Sequence, residues 1–108
     1  MCTWYIISDS YNHHVDDISI SLIVYYEFVT SGYCNAGWLP PNGETDSEAN
    51  CLEMCHSRNH ANHFSWNPPN KACSCYDTDP CSPDTSAYSM TFKSFKISRN
   101  YQGNIKAL

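Results

Sequence analysis

Thr45-Asp46-Ser47-Glu48-Ala49-Asn50-Cys51-Leu52-Glu53-Met54-Cys55, read together with Lys71-Ala72-Cys73-Ser74-Cys75-Tyr76, decides the fold. Thr45 and Glu48 fit a capping box, in which the threonine hydroxyl serves a free amide of the first turn and the glutamate reaches back to the cap. The helix they start is expected to run to about Ser57, with Glu48, Cys51, Leu52 and Cys55 on one stripe and Arg58 and Asn59 as terminators. Cys51 and Cys55, four apart on that helix, share a face about 6 Å apart along its axis. Residues 71–76 are expected as a strand, on which Cys73 and Cys75 share a face about 6.6 Å apart. The spacings match. A helix laid across that strand would accept two parallel disulfides at the roughly 5.5 Å Cα separation such bonds prefer, leaving Cys34 and Cys81 to close the domain ends. Six cysteines still allow fifteen connectivities, and spacing alone does not choose among them.

Working outward, His63-Phe64-Ser65-Trp66 alternates as a short strand, and Asn67-Pro68-Pro69-Asn70 reverses the chain so that residues 71–76 return as its partner. Upstream, Ile18, Ile20, Leu22, Val24, Tyr26 and Phe28 alternate against Ser19, Ser21 and Glu27, the period of a strand. Residues 35–43, with Gly37, Pro40, Pro41, Asn42 and Gly43, read as a loop. So do residues 77–84. Downstream, Tyr88, Met90 and Phe92 alternate in one phase and Phe95 and Ile97 in the other, so a bulge or a strand changing surfaces is expected near Lys93. The fold class expected is α+β: a small disulfide-rich domain over residues 18–98, a curved antiparallel sheet cradling one helix, with an N-terminal strand-like arm (1–17) and a basic C-terminal tail (99–108).

Composition limits function. The 108 residues include seven cysteines, a density expected of secreted or surface domains and rare in a reducing cytosol. Met1, Cys2, Thr3, Trp4, Tyr5, Ile6 and Ile7 show neither a basic region nor a sustained apolar run, so no export signal is legible and secretion is read from the cysteines alone. A net charge of -5 supplies no footprint for nucleic acid. Residues 18–29 are broken by Ser19, Ser21 and Glu27 and fall short of the about 18–20 apolar residues of a membrane span, so membrane insertion is not expected.

No cofactor and no metal are expected. His56, His60 and His63 lie near Cys51 and Cys55, but zinc modules usually set ligand cysteines two residues apart, whereas here the gaps are three and one. His13 and His14 read as polar surface. The sequence holds no nucleophile elbow, phosphate loop or zinc-protease motif, and Asp77, Asp79 and Asp84 do not follow a calcium loop. Enzymatic activity is therefore not expected.

Tyr25-Tyr26-Glu27-Phe28 leading to Gly32-Tyr33-Cys34, the Cys51–Cys55 helix, His63-Phe64-Ser65-Trp66-Asn67, Cys73 and a closing strand over residues 88–97 resemble the PAN/apple superfamily across residues 22–97. The resemblance implies a curved sheet cradling a disulfide-tied helix, with Cys34 bonded to Cys81 and Cys51 to Cys73. The chain departs from the pattern where Asn62 or His63 replaces the usual cysteine before the Phe-x-aromatic strand, which leaves Cys55 without its customary partner and makes Cys75 the substitute. The Cys73-x-Cys75 pair is also similar to WSC-type carbohydrate-binding domains.

Two functions follow as expectations. The first is a structural module that assembles with copies of itself, head to tail, into a filament or surface polymer. The apolar arm (Trp4, Tyr5, Ile6, Ile7), the odd Cys2, and the bases Lys93, Lys96, Arg99 and Lys106 set against an acidic body carry that reading. Residues 1–92 hold eleven acids and two bases (-9), and residues 93–108 four bases (+4). The second is a monomeric module that binds glycans or surface proteins through Trp38, Leu39 and Tyr76.

Overall fold

A computed structural model describes residues 2–8, 18–58 and 60–105, with side chains over 23–58 and 60–100. Six strands, β1 (Cys2–Ser8), β2 (Ile18–Ser31), β3 (Trp38–Glu44), β4 (His63–Trp66), β5 (Ala72–Tyr76) and β6 (Lys93–Ile105), form one sheet in the order β1-β2-β6-β4-β5-β3. Every pairing is antiparallel, and one helix, α1 (Glu48–His56), completes a small disulfide-rich α+β domain dominated by sheet.

Residues 2–8 and 99–105 belong to this sheet. β1 pairs with β2 of its own chain from Cys2↔Glu27 to Ser8↔Ser21, and β6 pairs with β2 from Ile18↔Ile105 to Ser31↔Lys93. The segments read as an arm and, from residue 99, as a tail are thus strands over residues 2–8 and 99–105. Opposite-charge and β-branched rungs such as Glu27↔Lys96 and Tyr26↔Ile97 suit such pairing. The one irregularity along β2 and β6 lies between Phe28 and Thr30, opposite Phe95 and Ser94.

Three local readings need correction. Residues 38–44 form a strand, not a loop: Pro40 and Pro41 lack N–H groups, which an edge strand tolerates, and the β3–β5 register breaks between Leu39 and Gly43, where the prolines sit. The carbonyls left over there are filled by Arg58, whose guanidinium donates to Leu39 O at 2.9 Å and Pro41 O at 2.7 Å. Secondly, the helix is capped by Ser47, whose hydroxyl accepts from Asn50 N at 3.1 Å, while Thr45 donates to Ser47 O and Glu48 accepts from Tyr26 OH at 3.4 Å. Thirdly, residues 88–92 hold a 3-10 turn (Ser89–Thr91) rather than strand, so β6 starts at Lys93; the irregularity expected near Lys93 is present one residue on, where β2 runs from Phe28 to Thr30 opposite Phe95 and Ser94.

Strand alternation divides the sheet into two faces. On one, Phe64 pairs across Cys75 and Phe95, and α1 lays Cys51, Leu52 and Cys55 on them; all of these are buried. Tyr26, Phe64 and Phe95 form an aromatic cluster with centroids 4.9–5.4 Å apart. Two disulfides rivet the helix to β5, Cys51–Cys73 and Cys55–Cys75, with Cα separations of 5.5 and 5.3 Å. On the other face, small hydroxyls line up across β5, β4 and β6 as Ser74↔Ser65↔Ser94. Ser94 Oγ donates to Gly32 O, so the 2.6 Å contact between Ser65 and Ser94 must have Ser65 as donor. This face is covered by the segment between β5 and β6, pinned by the Cys34–Cys81 disulfide and by buried Ser89, which donates to Asp84 O and accepts from Tyr33 N.

Candidate functional site

A cleft of about 290 Å³ opens on the hydroxyl face. Its floor is the outward side of β5, Ala72, Ser74 and Tyr76. Trp38 pairs across Tyr76, which sets its side chain at the rim, and 52% of it is exposed. The approach to Trp38 depends on Gly37: its φ of +75° suits glycine, its carbonyl accepts from Asp77 N at 2.7 Å, and a Cβ there would strike the Asp77 carbonyl. The indole is then oriented by its own N–H, which donates to Asn42 Oδ1 at 2.7 Å; Ser74 Oγ donates to the same oxygen at 2.9 Å.

Another part of the lining is a set of edge-to-face rings. Tyr33 and Tyr88 each meet Phe92, at 5.3 and 5.4 Å, and Tyr88, 57% exposed, accepts from Asn70 Nδ2 at 3.1 Å. Tyr76 is nearly buried, and burial pushes its phenol above the ordinary value. It is a floor group, not the exposed stacking ring expected from the sequence. Leu39 is also displaced from its expected role: it pairs with Cys75 and packs on the helix-face core. Sequence reasoning missed Tyr33, Asn42, Tyr88 and Phe92: Asn42 lies on the edge strand hidden by its prolines, and Tyr33, Tyr88 and Phe92 come together only once the Cys34–Cys81 disulfide and the Ser89 hydrogen bonds seat the covering segment.

The remaining candidates lie elsewhere. Lys93 is exposed and pairs with Trp66, Lys96 forms an ion pair with Asp79 at 3.2 Å, and Arg99 Nε donates to His56 Nδ1 at 2.9 Å. Cys2, Trp4, Tyr5, Ile6 and Ile7 lie in β1, of whose side chains nothing is described, and Lys106, His13 and His14 fall outside the described residues. The sulfurs of Cys51, Cys55 and Cys73 lie within 4.8 Å of one another, but each is held in a disulfide and so offers no thiolate. Among the described residues no helix is long and apolar enough to cross a membrane. No family model, curated protein or solved structure matches the chain.

Proposed function

We propose that the chain is a non-catalytic extracellular recognition module that holds a glycan or a protein surface at the Trp38–Tyr88 cleft. One observation carries the reading: two large aromatic side chains, more than half exposed, line one cleft and are held there by hydrogen bonds and ring contacts. Exposed aromatics cost hydration and are retained where a partner covers them. A disulfide-riveted helix over an antiparallel sheet supports the likeness to PAN/apple domains, with the curved, cradling sheet that likeness implies. Three disulfides support an extracellular location. The test is binding of the full oxidised chain to immobilised glycans and extracellular matrix proteins, with Trp38→Ala/Tyr88→Ala as the control. Binding lost in the double variant supports the reading; binding unchanged by it contradicts it.

A second reading, self-assembly by strand addition, rests on β1, which is terminal in the sheet order and has its outer backbone edge open to another strand among the described residues. Pairing of β1 within its own chain, and engagement of Lys96 and Arg99 by Asp79 and His56, place this reading second. Particle mass under non-reducing conditions separates the two: a monomer contradicts assembly, and a ladder supports it.

A further inference from the structure

Resting on the cleft as the binding site, we infer that its ligand is the end of a neutral glycan, one pyranose ring seated between Trp38 and Tyr88. The first argument is charge. Among the described residues no Asp, Glu, Lys, Arg or His lines the cleft. The described cations are committed elsewhere: Arg58 to carbonyls of β3, Lys71 to Asp46, Lys96 to Asp79 and Arg99 to His56, while Lys93 pairs across Trp66 and belongs to the other face. An anionic sugar would give up hydration there without gaining a cation, against a chain of net charge -5.

The second argument is donor geometry. Because Asn42 Oδ1 accepts from both Trp38 and Ser74, the orientation of that amide is fixed, and the Nδ2 of this cleft-lining residue keeps two N–H donors that meet no protein acceptor among the described residues. Tyr88 OH, accepting from Asn70, keeps its own proton to donate. Vicinal hydroxyls offer acceptors to such donors, while the axial C–H face of a pyranose lies on an indole face. A cleft of about 290 Å³ stands at the small end of the roughly 300–1,000 Å³ of ligand sites, which suits one ring at a chain end rather than an internal stretch of polymer. A protein loop would also fit aromatic walls, but it gives no reason for unspent amide donors beside an uncharged floor.

The experiment follows the Trp38 indole N–H signal by NMR in the full oxidised chain, assigned with Trp38→Phe. The probes are lactose, mannotriose and chitotriose, with sialyl-lactose and sulfated lactose as acidic counterparts. At least one neutral sugar is expected to shift that signal in a saturable way. Asn42→Ala should weaken its binding about ten-fold, and the acidic counterpart should bind at least about ten-fold more weakly than the neutral sugar. Tighter binding of an acidic sugar at Trp38 overturns neutrality. If no sugar moves the signal while Trp38-dependent binding to a matrix protein persists, the glycan inference fails and the cleft reading survives.

Discussion

The two faces of the sheet solve opposite problems with the same strands. On the helix face, inward residues of β4, β5 and β6 are Phe64, Cys73, Cys75 and Phe95, all buried, and the helix is bolted to them twice. On the other face, the neighbouring residues of those strands are Ser65, Ser74 and Ser94, too small to fill a core. The segment that covers them is held by one bridge and by hydroxyl hydrogen bonds, and it leaves a cleft. A small domain thus places its cohesion on one face and leaves the other with a cleft and exposed aromatics, the feature on which the proposed recognition role rests.

This contrast orders the expected effects of mutation. Phe64→Ala empties the centre of the aromatic cluster and should cost about 3–5 kcal/mol in chemical denaturation, enough to unfold much of the population. A loss under about 1 kcal/mol would show that the riveted face is not where cohesion lies. Removing one rivet, Cys51→Ala with Cys73→Ala, should cost about 2–3 kcal/mol. Its loop alone accounts for about 3 kcal/mol of chain entropy at a separation of 22 residues, but the Cys55–Cys75 bridge, overlapping it, still closes most of that loop.

Arg58 joins the two faces. Its guanidinium, from just past α1, holds the carbonyls of β3 around the prolines, and Trp38 leaves from the same strand. Arg58→Ala should cost about 1–3 kcal/mol in the same assay and weaken ligand binding, because Trp38 loses its anchored strand. Stability loss with unchanged affinity would show that β3 positions Trp38 without help from the helix side.

How much of this was legible depended on whether the signal was local. Cys51 and Cys55, or Cys73 and Cys75, declare a shared face within a few residues, and alternation in His63-Phe64-Ser65-Trp66 declares a strand. β3 was hidden because its prolines forbid a central strand yet are harmless on an edge whose carbonyls Arg58 fills. The far end of β6 looked like a tail, since Asn100, Gly103 and Asn104 are poor strand formers, and only pairing along β2 orders them. Half of the cleft was visible in Trp38 and Tyr76. Tyr88 and Phe92 arrive from a distant segment, and nothing in their own neighbourhood announces where Cys81 carries them.

The smallest expected effect is a pH dependence. His63 is 1% exposed on the cleft-side face of β4, and burial lowers its pKa below the ordinary 6.5, with the Thr78 backbone and Asp79 opposing and Lys96 assisting. The unfolded chain therefore takes up a proton near 6.5 while the folded chain does not until lower pH. Stability is fully present above about 6.5 and falls as pH drops toward the lowered folded value. Melting curves from about pH 8 to 5 should show a shallower decline for His63→Gln than for the parent chain; identical slopes would mean that His63 titrates alike in both states.

The division between the faces is tested most directly by the melting transition of Trp38→Ala. If Trp38 is kept for a partner, removing an indole that is 52% exposed and held by one exposed hydrogen bond should shift stability by less than about 1 kcal/mol. A loss of about 3 kcal/mol or more, comparable with Phe64→Ala, would show that Trp38 is part of the protein's own core and contradict the account.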